Sequence, residues 1–170
     1  GTSKLTITAS SVSGSMRRYS EVLLGFVHAA ARDLDEVRAF VFGTRLTDIT
    51  RSLAERAPDA ALARIAGAVD DYAGGTRIGA SLGEFNRRHA RRVPIARATV
   101  LLITDGLERG DPDVLAVEAA RLRRSCRRLV WLNPLLRHDG FEPLAAGIRA
   151  LLPQADDFLP VHNLASLERL

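Results

Sequence analysis

Short apolar runs alternate with longer stretches of helical spacing from one end of the chain to the other. Strand-like runs lie at Leu5–Ala9, Val37–Phe42, Leu46–Thr50, Thr99–Thr104, Leu129–Leu132 and Asp157–Pro160. Between them, apolar residues recur at three- and four-residue intervals over about 16–33, 58–70, 78–91, 112–125, 142–152 and 164–170. The run TVLLIT is apolar at successive positions, which suits a central parallel strand covered by helices on both faces. Leu46–Thr50 is short, polar at alternate positions, and follows the tight link GTR, so it reads as an antiparallel edge strand. Asp111 before Pro112 reads as an N-cap followed by a first-turn proline. The alternation implies an α/β three-layer sandwich with a mostly parallel six-stranded sheet and one antiparallel edge strand. In such sheets ligands gather beyond the carboxyl ends of the strands, where the strand order switches.

At 170 residues the chain suits one domain spanning 1–170. It opens on GTSKL, almost directly on a strand, which reads as a domain excised from a longer protein. No apolar run approaches the ~18 residues of a membrane span. The single cysteine, Cys126, has no internal disulfide partner and no zinc-type Cys/His spacing around it. It reads as a small half-buried hydrophobe, and a reducing, cytoplasmic setting is expected. Of the 24 basic residues only Lys4 is a lysine, a bias that fits base composition better than a ligand. RLRRSCRR at 121–128 is dense, but no aromatic residues interleave with it, and nucleic-acid binding is not expected.

Three loops carry the candidate chemistry. After the first strand comes SSVSGSM, where Ser11, Ser13 and Ser15 alternate and so point one way in an extended turn. GGTRIG at 74–79 places Thr76 just before a helix, and ITDG at 103–106 places Asp105 at the end of the buried strand. Hydroxyls and a carboxylate are hard oxygen donors, suited to Mg²⁺ or Mn²⁺ rather than zinc. His28 reads as a packed residue of the first helix and His89 as part of a solvated face. His138, His162 and the core residue Trp131 receive no chemical role.

This set of loops resembles the metal-ion-dependent adhesion site (MIDAS) of von Willebrand factor A (VWA) domains, with its DxSxS loop, distant threonine and strand-end aspartate before glycine. FVFGTRLTDIT, GGTRIGASLGEFNRR, WLNPLLR and DDFLPVHNLASLE extend the likeness to the CoxE-like branch over nearly the whole chain. The resemblance implies a VWA (dinucleotide-binding-like) fold and a divalent ion awaiting an acidic group from a protein partner. It matches Ser13 and Ser15 to the two serines, Thr76 to the loop threonine and Asp105 to the strand-end aspartate. It also implies a MoxR-type AAA+ ATPase as partner, and a part in maturing a metalloenzyme such as molybdenum carbon monoxide dehydrogenase.

Ser11 departs from the pattern, which has aspartate there. One carboxylate leaves a divalent ion under-compensated, and Mg²⁺ gives up its water shell reluctantly, so weak or absent Mg²⁺ or Mn²⁺ binding is expected. No acidic residue stands in: Glu108 and Asp111 lie beyond Gly106 and are expected to face solvent or cap the next helix. Enzyme readings find little support, since no GxSxG elbow, P-loop or GxGxxG occurs and no loop histidine faces the serines. A metal-free anion site is the other alternative, with Arg17 and Arg18 following the helix start near Ser13–Met16.

Overall fold

The computed structural model describes residues 25, 27–28, 36–42, 45–65, 76–133 and 145–160, and residues 4–10 and 66–68 by their backbone. The strands are β1 (Lys4–Ser10), β2 (Glu36–Phe42), β3 (Leu46–Asp48), β4 (Ala98–Ile103), β5 (Arg128–Asn133) and β6 (Asp157–Pro160). The helices are α1 (Thr50–Leu53), α2 (Pro58–Ala68), α3 (Ile78–Arg88), α4 (Pro112–Ser125) and α5 (Ala146–Leu151). Gly25, Val27 and His28 are also helical, within the stretch where a first helix is expected.

The sheet order is β3-β2-β1-β4-β5-β6. β1 lies between β2 and β4 and is parallel to both, with Leu5 opposite Val37 on one side and Thr99 on the other. β3 alone runs antiparallel, against β2. Because β1 has neighbours on both sides, the connections after it and after β4 leave in opposite directions. Their carboxyl ends therefore mark the switch point at which such sheets form a ligand crevice, with Ala9 of β1 opposite Ile103 of β4.

Alternation along β4 explains the layers. Val100 and Leu102 face a core built with Phe40, Phe42, Trp131 and the buried sides of α3, α4 and α5. Leu101 and Ile103 face a second core with Ala39, Val41, Val27, Ile49, Leu53 and Ile65. Successive side chains of a strand point to opposite faces, so an unbroken apolar run is what a sheet buried on both sides requires.

Several boundaries differ from the expectation. The edge strand stops at Asp48 instead of Thr50. Asp48 Oδ1 accepts the Thr50 N–H at 2.9 Å, while Thr50 Oγ1 accepts the Ala39 N–H at 3.0 Å. These bonds turn the chain into α1, which the apolar pattern does not reveal in four residues. α3 stops at Arg88 rather than continuing to 91, and a 3₁₀ turn, Ile95–Arg97, leads into β4. In the stretch expected to be helical over 142–152, the described helix is Ala146–Leu151, followed by a 3₁₀ turn containing Pro153. The helix expected at 164–170 lies outside the described residues, as do His138 and His162.

Candidate metal centre

β4 delivers Thr104 and Asp105 to the crevice, at 0% and 3% exposure. The Thr104 backbone remains pinned to β5: its N–H donates to the Leu132 carbonyl at 3.1 Å, and its carbonyl accepts Trp131 Nε1–H at 2.9 Å. Asn133, fully buried at the end of β5, donates from Nδ2 to the Asp105 carbonyl at 3.5 Å. Gly106 then turns the chain with φ +76°. A Cβ there would lie 2.9 Å from both Trp131 Cζ2 and Ile148 Cγ1, so sterics and backbone conformation both demand glycine.

The Asp105 carboxylate is only half satisfied. Oδ1 accepts the Leu107 N–H at 2.9 Å, whereas Oδ2 is buried without a hydrogen-bond partner among the described residues. Burial pushes the carboxyl above its usual range, with the Leu107 N–H acting the other way. A buried carboxylate oxygen left without a donor is unfavourable unless a cation or a donor completes it.

Thr76 is 6% exposed and precedes α3 by two residues. Its carbonyl accepts the Arg109 N–H at 3.0 Å. Glu108 adds a second tie: Oε2 accepts the Gly79 N–H at 2.7 Å, in the first turn of α3, and Oε1 accepts the Gly110 N–H at 2.7 Å. The structure thus brings the Thr76 and Asp105 loops together. It corrects the reading of Glu108, which caps the preceding helix instead of facing solvent or capping the next. Asp111 is the cap of α4, accepting the Asp113 N–H at 2.8 Å. Glu108 could not be found from local pattern, because its partner lies 29 positions away.

Ser11, Ser13 and Ser15 lie outside the described residues, although Ser10 ends β1 at the mouth of the crevice. Among the described residues no group of three or more His, Cys, Asp or Glu side chains could hold a metal. Asp105 fits a divalent ion through its orphaned oxygen, and Thr76 offers a hard donor on the neighbouring loop.

The other candidates resolve simply. His28 is 4% exposed, with Nε2–H donating to the Glu55 carbonyl. His89 is not on a solvated face: its ring lies 4.8 Å from that of Phe40 and stacks on Phe85 at 6.1 Å. Its position just after α3 turns it inward where its arginine neighbours turn out. Cys126 is 7% exposed, and burial pushes its thiol up to about 11, against the nearby Arg123. It is a packed thiol with no tendency to ionise near neutral pH.

The profile of the family described as "VWA domain containing CoxE-like protein" matches residues 4–167. No curated protein matches the chain. Solved structures do. A von Willebrand factor type A protein from Catenulispora acidiphila superposes with a TM-score of 0.65 at 16% identity, over 99% of this chain and 41% of its own. Proximal thread matrix protein 1 of the mussel byssus, solved with a zinc-occupied MIDAS motif, gives 0.62 at 18% identity, over 99% and 44%. BatB of Bacteroides thetaiotaomicron gives 0.62 at 16% identity, over 98% and 94%. The chain thus spans less than half the length of the first two, and likeness at these identities concerns the fold.

Proposed function

Since the chain belongs to the CoxE-like family of VWA-domain proteins, we propose that it is a non-enzymatic interaction module with a weakened MIDAS-type site. The observation that carries this reading is the buried Oδ2 of Asp105 at the sheet's switch point, which has no hydrogen-bond partner among the described residues. Asp105, Thr76, Ser13 and Ser15 would hold Mg²⁺ or Mn²⁺, with Ser11 where the family pattern has an aspartate. The mussel protein's zinc-occupied motif supports a cation at this place in the fold. The ion would supply positive charge for an acidic residue of a protein partner. That partner is a MoxR-type AAA+ ATPase or its client, in the cytoplasm, during maturation of a metalloenzyme such as molybdenum carbon monoxide dehydrogenase. No helix among the described residues is long and apolar enough to cross a membrane.

Calorimetric titration with Mg²⁺ and Mn²⁺ tests the site. Losing a carboxylate next to an ion removes about 3–4 kcal/mol of attraction at an effective dielectric near 20, before hydration compensates. Half of that is more than one decade of affinity, so the chain should bind Mg²⁺ only in the ~millimolar range and Ser11→Asp should gain about tenfold or more. Equal affinity in the two proteins would remove position 11, and the motif assignment, from the site. The partner is tested by capture of the ATPase at matched thermal stability, which Thr76→Ala and Asp105→Ala should both weaken. Undiminished capture by both would place the interface elsewhere.

A further inference from the structure

Arginines gather at the end of the molecule away from the Asp105 loop. α3 starts two residues after Thr76 and ends at Arg88, and α4 starts beyond the Asp105 loop and ends at Ser125. Asn86 Nδ2 ties them, donating to Glu118 Oε2 at 2.8 Å and to the Glu118 carbonyl at 3.0 Å. Their carboxyl ends therefore finish together, where β4 and β5 begin. The Arg127 N–H donates to the Ala98 carbonyl at 3.0 Å and joins the two strand starts. A six-residue strand separates this end from Asp105, about 20 Å away at ~3.3 Å per residue.

The charge is unevenly distributed. Residues 84–98, 118–128 and 156–157 hold ten of the 24 basic residues and four of the 20 acidic ones. These stretches carry +6 and the rest of the chain −2, while Lys4 and Glu36, which begin β1 and β2 beside Ala98, cancel each other. All four carboxylates are already used: Glu84 by Arg88, Glu118 by Arg121, Asp156 by Arg123 and Asp157 by Arg128. Arg87, Arg91, Arg92, Arg97, Arg124 and Arg127 are exposed, with no ion pair among the described residues. Helix dipoles favour cations in the last turns of α3 and α4, which covers Arg87 and Arg124. Arg91, Arg92, Arg97 and Arg127 lie outside the α-helices, so the dipoles do not explain them.

We infer that this arginine-rich end is a second interaction surface, independent of the metal site, that docks an acidic segment of a protein partner. Guanidinium groups pair carboxylates in a planar, two-pronged geometry, and six exposed ones without an ion pair among the described residues attract a run of Asp and Glu at long range. A continuous phosphate backbone fits less well. No exposed aromatic residue among these stretches offers a base a stacking face. With both surfaces engaged, the domain would bridge two acidic groups, one at each end of its sheet.

Fluorescence anisotropy with a short fluorescein-labelled glutamate-rich peptide tests this surface, with a short DNA duplex of random sequence as competitor. The peptide should bind at low salt, weaken about fivefold or more between ~50 and ~200 mM salt, and be indifferent to EDTA. Combined Arg91→Glu, Arg92→Glu and Arg124→Glu should weaken it about tenfold or more, and glutamine at the same three positions by less. Circular dichroism should show both variants folded, as the three residues are exposed. Absence of binding, or equal binding by both variants, overturns the inference. Loss of binding in EDTA would assign the peptide to the metal site, and tighter binding of the duplex would make the partner a nucleic acid. The metal-site reading survives failure here, because it is judged by the Mg²⁺ titration alone.

Discussion

The carboxylate of Asp105 loses nearly all its water on folding and, among the described residues, recovers a hydrogen bond from the Leu107 N–H at 2.9 Å. Its folded pKa is raised above the unfolded 3.8 by burial. The native state therefore binds more protons than the unfolded chain between those two values, and stability falls as pH rises through that window. Above the folded pKa the penalty is present in full, so at neutral pH the residue works against the metal-free fold. Asp105→Asn keeps an oxygen for Leu107 and removes the charge. Without metal, the variant should melt higher than the parent at pH 7 and lose the decline in stability between acid and neutral pH. Its melting temperature should not respond to Mg²⁺. A lower melting temperature across the whole range would show that Oδ2 is compensated by groups beyond the described residues.

At the scale of elements, the loop from Thr104 to Asp111 is held on three sides. β5 grips it through Trp131 and Asn133, and α3 through Gly79. The start of α5 packs so closely that a Cβ on Gly147 would fall on the Gly106 carbonyl oxygen and 3.0 Å from Glu108 Cβ. Glu108 ties the loop to α3 and to itself, accepting from Gly79 and Gly110. Losing a charged acceptor from a part-buried N–H such as that of Gly79 costs about 1–3 kcal/mol. Glu108→Ala should lower urea stability by that amount and speed hydrogen exchange at the Gly79 amide. Glu108→Gln, whose amide oxygen still accepts one N–H, should lose less. Wild-type exchange at Gly79 in the alanine variant would show that the clamp contributes nothing.

For the whole molecule, the two cores on opposite faces of β4 make a testable pair. Leu101 and Leu102 are neighbours in sequence, 1% and 0% exposed, and belong to different cores. Truncating either to alanine should cost about 2–5 kcal/mol by chemical denaturation. A sheet covered on one face only would show one large loss and one small. A cost below ~1 kcal/mol for Leu101→Ala would mean that the layer containing Val27, Ile49 and Ile65 is loosely packed.

Much of this architecture was legible in the order of residues. TVLLIT is apolar at every other position twice over, and no arrangement but burial on both faces keeps it from water. Asp111 and Pro112 mark a helix start through chemistry confined to one turn, and α4 begins there. Asp105 could be picked out at a strand end and Thr76 in a glycine-rich loop before a helix, because such loop chemistry is local. Short elements were less visible: α1 and the end of β3 depend on Thr50 bonding to Ala39, eleven positions away.

Tertiary structure alone decided the rest. That Asp105 Oδ2 is buried without a partner among the described residues follows from what packs over it, which no spacing encodes. Glu108 became a clamp because α3 and the Asp105 loop meet in space, and His89 turned inward because Phe40 lies across from it. The arginines are scattered through some forty positions of the chain and read there as composition. They became one surface when two parallel-packed helices ended where two strands began. Local pattern follows from the backbone period of each element, but the neighbours of a charge are set by how the elements pack, and those neighbours decide whether it stabilises, binds or stays idle.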